Sequence, residues 1–425
     1  MTLPLYKHVL RDYFWLMTSN RVLEKYADLV LDFGINLKPG QKIRINGEIV
    51  HKDFVALLAK KAYQRGAQYV HTDLSIPMLG INRSHHQKDE YLDYVPAFAK
   101  AQVEQYIQER WSLVSVGGME DPEINKRMNQ DRNSVITKAG MQISKPLSHA
   151  AITGVCPWTI VALPTQKWAE KVTGKKGKRA VDLMWKDLIS ILRLNKKSPI
   201  ESWRKHSELL KARGEKLNGM HLQSLHFTGP GTDLWVGLSS RALWHGGAMK
   251  SEGNGDFFPN IPSEEIFTSP DFRLTEGRVS VTRPVNVLGD QVIGAWFEFK
   301  GGEVVKYGAK YGKNLIENYF KIDPKAKRLG EVALVDGSSP IFKSKRVFHN
   351  ILFDENAACH IALGRGFPIG LTGGANLSEA ELENEGCNQS LLHTDFMIGS
   401  EKVSVEGLRA DGSVVPIIKN GKFVI

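Results

Sequence analysis

KIRINGEIVHKDFVALLAKKAYQRGAQYVHTDL, residues 42–74, reads as strand, helix and strand in one continuous run. KIRING (Lys42 to Gly47) alternates apolar and polar residues as a strand does. Lys52 to Arg65 brings Phe54, Leu57, Leu58 and Ala62 onto one helical face, and Gly66 closes it. AQYVHTDL then alternates again. Such a βαβ unit predicts a parallel sheet. Upstream, Val22, Leu23, Tyr26, Leu29, Val30 and Phe33 recur at helical spacing, and Gly34 stands at the usual C′ position. Downstream, strands are expected at Leu113 to Val116 and Trp158 to Leu163, separated by polar helical sequence. Helices around Val181–Leu194 and Ser202–Leu217 complete an α/β domain over residues 1–218, with an apparent N-terminal extension over about 1–21.

From about Met220 the texture changes. LHFTG, LWVGL, RVSVT, VIGAWFEF and VVKYG are short alternating segments separated by Gly, Asn and Asp turns, and Gly289-Asp290 between apolar flanks reads as a hairpin connection. One clear helix is expected, near Asn314 to Phe320. Residues 219–425 are therefore read as a β-rich α+β domain.

The 425 residues are 42% apolar and 24% charged, the composition of a folded globular chain rather than a disordered or fibrous one. No apolar run reaches the ~18–20 residues of a membrane span. MTLPLYKHVLRDYFWLM lacks the small-residue cleavage site of a secretory signal. Cys156, Cys359 and Cys387 are too few and too scattered for a disulfide framework or a CxxC zinc ribbon, so a reducing cytoplasm is expected. The net charge of +10 raises the question of nucleic acid. The excess is scattered apart from Lys175, Lys176, Lys178 and Arg179, a run that reads as a solvated turn, and no nucleic-acid-binding motif accompanies it.

HExxH, GxxxxGK[ST] and GxSxG are absent, and GRGFPIGLTGG (Gly364 to Gly374) reads as a flexible loop rather than a phosphate cradle. The carboxylates and histidines of the second half carry more. Glu331 interrupts the apolar run LGEVALV. It either turns to solvent by alternation or is a buried carboxylate that needs a partner or a metal. Glu264 and Glu265 stand in NIPSEEIFTSP, where a surface pair is the plain alternative. His393 and Asp395 of LLHTDFMIGS are i and i+2 on one strand face, able to reach one metal or simply to hydrogen-bond at the surface. His360 ends DENAACH, as a ligand or as a satisfied core histidine. Asp354 and Glu355 are available there as ligands or as acceptors that fix the imidazole. Together, Glu265, Glu331, His360, His393, Asp395 and a bridging hydroxide would balance two divalent cations, as a dinuclear hydrolase requires.

GPGTDLWVGL, NIPSEEIFTSP, RLGEVALVDGSSPI, LFDENAACHIALG and HTDFMIGSEKVSVEGLRADG resemble the thermophilic aminopeptidase family of aminopeptidases T and S. LEKYADLVLDFGINLKPGQ, CPWTIVALP and WAEKV extend the likeness over nearly the whole chain from about Val22. The resemblance implies metal ligands at Glu265, Glu331, His360, His393 and Asp395 around two divalent ions (Zn, Co, Mn or Mg), and a homodimer. It also implies a tyrosine seven residues after the first histidine, where this chain has Phe367, whose ring neither ligates a metal nor donates a proton.

The expected activity is that of a cytoplasmic metal-dependent aminopeptidase. Two ions about 3.5–4 Å apart would activate a shared water, and one would hold the free amino terminus of a peptide. Glu264 is the candidate general base, on condition that a turn or bulge at 264–265 brings neighbouring side chains to one site. The alternatives are a different dinuclear hydrolase, one weakened by Phe367, or a basic nucleic-acid-binding α/β protein.

Overall fold

A computed structural model describes residues 20–253 and 255–425, so the apparent extension lies almost wholly outside the described residues. The chain forms two compact units. One comprises residues 20–122, 134–205 and 249–261; the other comprises 123–133, 206–248 and 262–425.

In the first unit, Lys42–Glu48, Tyr69–Ser75, Ser112–Gly117 and Trp158–Ala162 form a parallel sheet in the spatial order second, first, third, fourth. Ile43, Ile45, Val114 and Val116 are buried on it. The helix over 20–34, whose last turn Val30–Gly34 is π-wound, packs Tyr26 against Phe54 of helix Lys52–Gln64 at 5.4 Å between ring centroids. Arg65 donates to both Asp28 and Asp32 and pins the two helices together. Gly34 is not the left-handed residue that ends its helix; Asn36 is, with φ 48°. What Gly34 provides is close approach, since a Cβ there would stand 3.0 Å from Thr159 Cγ2. Helices Gly177–Ile191 and Pro199–Met220 lie where periodicity placed them, the second of them belonging to the other unit from residue 206 on. The run of Lys175 to Arg179 marks the turn into the first of these, with Lys176 paired to Glu170.

The second unit is built on two large antiparallel sheets, with a separate two-stranded hairpin. The larger has eight strands, in spatial order Glu303–Gly308, Trp296–Lys300, Pro270–Ser280, Thr232–Leu238, Leu222–Gly229, Ser404–Arg409, Val414–Lys419 and Lys422–Phe423. The smaller has five, in the order His393–Met397, His360–Gly364, Leu329–Val335, Glu265–Thr268 and His245–Gly246. Ile266, Val332, Leu334, Ile361, Leu363 and Phe396 form one apolar face of the smaller sheet. They join Phe227, Leu234, Val236 and Phe297 of the larger sheet in a single core. The expected hairpin is present but its turn lies one residue earlier than Gly289-Asp290: Val285–Val287 pairs with Asp290–Val292 through Leu288 and Gly289, both at positive φ (53° and 90°) as in a type I′ turn.

Two expectations need correction. The second half holds more than one helix: besides Lys313–Ile322 there are Pro340–Ser344, Ile351–Asp354 and Glu379–Asn384. These are too short to show a 3.6-residue period, and what marks them is a serine or asparagine N-cap in each case. GRGFPIGLTGG is also not a loose loop. Leu243 N–H donates to Gly370 O, Thr372 N–H to Arg241 O, and Ser269 Oγ both accepts from Phe367 N–H and donates to Phe367 O.

Gly364, which ends the His360 strand at φ 109°, tests this packing, because a Cβ there would lie 2.1 Å from the carbonyl oxygen of Leu392. Gly364→Ala is expected to cost at least about 2 kcal/mol of stability, from a disfavoured backbone and a backbone clash together. Calorimetric melting reads this directly, and an unchanged midpoint would contradict the geometry.

Candidate metal centre

The smaller sheet decides where each functional side chain goes. Residues directly opposite one another on neighbouring strands share a face. Glu331 opposes Ala362, Ala362 opposes Asp395, Ala333 opposes His360, Gly364 opposes His393, and Val335 opposes Glu265. All five candidate ligands therefore rise from the face opposite the apolar one, above a floor of Ala333, Ala362 and Gly364 that leaves room between them. Register shifts between Leu329 and Glu331, so Gly330 is an inserted bulge residue that turns Leu329 to the core while Glu331 faces the site. Every residue of Leu329–Val335 is buried, so alternation gives Glu331 no solvent face.

Glu331 divides its two oxygens. Oε1 lies 3.8 Å from His360 Nε2 and Oε2 lies 3.4 Å from His393 Nε2. Glu265 approaches His360 Nε2 at 3.2 Å, and Asp395 approaches His393 Nε2 at 3.2 Å. Two ligand groups result, Glu265–Glu331–His360 and Glu331–His393–Asp395, each with its ligand atoms within 4.8 Å of one another. His393 Nδ1 lies 2.7 Å from Arg365 O, and His360 Nδ1 lies 3.2 Å from Ala358 O. A proton on each Nδ1 leaves both Nε2 atoms aimed at the carboxylates. The imidazoles are thus fixed by backbone carbonyls, not by Asp354 or Glu355. Asp354 instead accepts from the N–H groups of Phe348 and Asn350.

The electrostatics are those of a crowded, buried carboxylate cluster. Burial works against charge on His360 and His393. Glu265 and Glu331 outweigh it at the first, Asp395 and Glu331 at the second, and both imidazoles are lifted well above their usual value. Burial raises the Glu265 carboxyl despite its bond to His360. At Asp395, His393 overcomes burial and lowers it. Carboxylate and imidazole donors in two clusters sharing one glutamate, with no thiolate among them, fit divalent cations with borderline or hard character.

Glu264 immediately precedes the Glu265 strand. It is buried, with Oε2 3.3 Å from His206 Nε2, and it belongs to neither ligand group. Glu355, half-buried, is acted on by the candidate ligands instead: burial and then the charges of Glu265 and Asp395 push its carboxyl well above the usual range. Asn356 joins the two segments, and nothing in the sequence singled it out. Phe367 does stand at the site. Its ring centroid is 4.8 Å from that of His393 and 5.9 Å from that of Phe267, which shares a strand face with Glu265.

Residues 19–423 match the family described as thermophilic metalloprotease (M29). The chain belongs to that family. It is 37% identical to aminopeptidase PepS of Streptococcus thermophilus over 406 residues, covering 95% of this chain and 98% of the relative. It is likewise 37% identical to aminopeptidase T of Thermus aquaticus, covering 95% and 98%. The solved structure of wild-type AmpT from Thermus thermophilus superposes with a TM-score of 0.88 at 36% identity, covering 96% of this chain and 100% of that one. The α/β unit followed by a larger antiparallel unit is therefore the family's architecture, and the chain is a metalloprotease, a hydrolase of peptide bonds. Among the described residues no helix is long and apolar enough to cross a membrane.

Because Glu331 belongs to both ligand groups, Glu331→Ala is expected to abolish stabilisation by added cation. A cation at 100 times its Kd should stabilise the parent chain by about 2.7 kcal/mol. Thermal melts with and without zinc or manganese check this, and equal shifts in parent and variant would refute the shared role.

Proposed function

We propose that this metalloprotease is an aminopeptidase that removes amino-terminal residues from peptides through a dinuclear centre. Glu265, Glu331 and His360 would hold one divalent cation; Glu331, His393 and Asp395 would hold the other. The observation that carries the reading is the bridging placement of Glu331, one oxygen toward each histidine. When bound, divalent cations at these positions polarise a carbonyl and lower the pKa of a water toward neutrality. The aminopeptidase names of the relatives support the exopeptidase part.

The chain's own residues supply the rest. Proton transfer needs a carboxyl that faces the reacting atoms. The pairing of Glu264 with His206, and the charges of Glu265 and Asp395 acting on Glu355, favour Glu355 for that role over the expected Glu264. Glu355 would take a proton from the attacking water and return it to the leaving amine. The three buried, unpaired cysteines suit a reducing compartment, in keeping with a cytoplasmic enzyme.

Comparing one short peptide with its N-acetylated form tests the exopeptidase reading. Cleavage of the free peptide and none of the capped one is expected, and equal rates would point to an endopeptidase. Phe367 generates a second expectation. Phenylalanine keeps the ring packing against His393 and lacks only the hydroxyl. A single hydrogen bond to a tetrahedral intermediate is worth roughly 10²–10³ in rate. Phe367→Tyr should therefore raise kcat at least about tenfold or tighten cation binding. No change in either, measured by steady-state kinetics and chelator competition, would show the hydroxyl to be dispensable here.

A further inference from the structure

Asn356 is fully buried, and every polar atom of its side chain is engaged. Oδ1 accepts the N–H of Glu264 at 2.7 Å. Nδ2 donates to Glu355 Oε1 at 3.2 Å and to Leu352 O at 3.1 Å. Its main-chain oxygen accepts from Ser339 Oγ at 2.8 Å, so the residue is itself held in place. These bonds settle which way the amide points, since one end meets a donor and the other meets two acceptors.

The two groups that Asn356 joins belong to segments far apart in the chain. Glu264 N–H belongs to the backbone one residue before Glu265, a candidate ligand. Glu355 is the carboxyl on which the charges of Glu265 and Asp395 act. We infer that Asn356 is a positioning residue that sets the spacing between Glu265 and Glu355 by bonding to both segments at once. The inference rests on the Proposed function reading of Glu265 as a ligand and Glu355 as the proton-carrying group. Its two halves are separable, because asparagine uses an acceptor toward one segment and a donor toward the other. Aspartate keeps the acceptor toward Glu264 N–H, loses the donor and sets a second carboxyl against Glu355. Alanine loses both. Glutamine is one methylene too long for a fully enclosed site.

The test uses the full chain, with zinc affinity measured by chelator competition and kcat and KM measured on a short peptide with a free amino terminus. Removing a partner that orients a metal ligand or a reacting group typically costs about 10–100-fold in affinity or activity. Asn356→Asp is expected to lower kcat by about that factor, with KM and zinc affinity within about threefold of the parent. Asn356→Ala should lower kcat similarly and also weaken zinc binding about tenfold or more. Should the alanine variant fail to fold, the aspartate variant decides the donor half alone. A lowered melting midpoint with unchanged kcat per folded molecule and unchanged zinc affinity would overturn the proposal, since that is what a purely structural asparagine gives. Glu355→Gln is measured in parallel. If it retains the parent kcat, the reading of Glu355 fails and the donor half fails with it, while zinc affinity of Asn356→Ala still decides the acceptor half.

Discussion

Glu331 is a carboxylate on a strand whose every residue is buried, and it stands between two histidines. An isolated charge in that position would cost several kcal/mol and would protonate or unfold the strand before it persisted. Here each oxygen meets an imidazole, and the imidazoles in turn meet Glu265 and Asp395. The set is mutually dependent: His360 and His393 are lifted in pKa only because the carboxylates surround them. Three carboxylates against two imidazoles still leave the cluster short of positive charge, and the Glu355 carboxyl, pushed well above its usual range by burial and these neighbours, registers that deficit. Divalent cations relieve it, so folding stability and cation binding draw on the same interaction.

The rest of the second unit makes that arrangement possible. Antiparallel pairing allows one face of the five-stranded sheet to be apolar and the other to carry chemistry. The apolar face is anchored to the eight-stranded sheet through residues such as Ile266, Val332 and Phe396. On the site face the centre is occupied by Ala333, Ala362 and Gly364, small residues that leave space between the candidate ligands. Gly330 corrects the register so that Leu329 joins the core without turning Glu331 away. A regular strand could not satisfy both demands, which is the general reason bulges lie beside active sites.

Much of this was legible in the sequence. The parallel sheet followed from periodicity because each of its strands is bounded by helices long enough to show a 3.6-residue pattern. His393 and Asp395 could be assigned to one face from their spacing alone. Glu265, Glu331 and His360 could be grouped by chemistry and family order, but their convergence is a matter of strand register, which a single sequence does not encode locally. The short capped helices of the second half escaped notice because four to six residues carry no period. Asn356 escaped for a different reason. Its partners Glu264 and Leu352 are separated from one another in the chain, and an asparagine reads in sequence as a turn residue, not as a buried bridge.

Phe367 illustrates how the fold can hold a position fixed while its chemistry varies. The backbone of residue 367 is held from both sides by Ser269, whose hydroxyl accepts from its N–H and donates to its carbonyl. Gly366 beside it packs against Cys387, where a Cβ would come within 2.8 Å of the sulfur. None of these contacts involves the side chain at 367. The tilted contact with His393 and the edge-to-face contact with Phe267 are available to tyrosine and phenylalanine alike. A phenolic hydroxyl at this position would therefore leave the loop, the ring and the orientation of His393 intact, and would add only a single donor. Because His393 is oriented from behind, by Nδ1 against the Arg365 carbonyl, its direction does not depend on that donor either. The site thus separates the groups that must be placed by the sheet from the one that a loop merely presents, and only the latter is free to change without disturbing the rest.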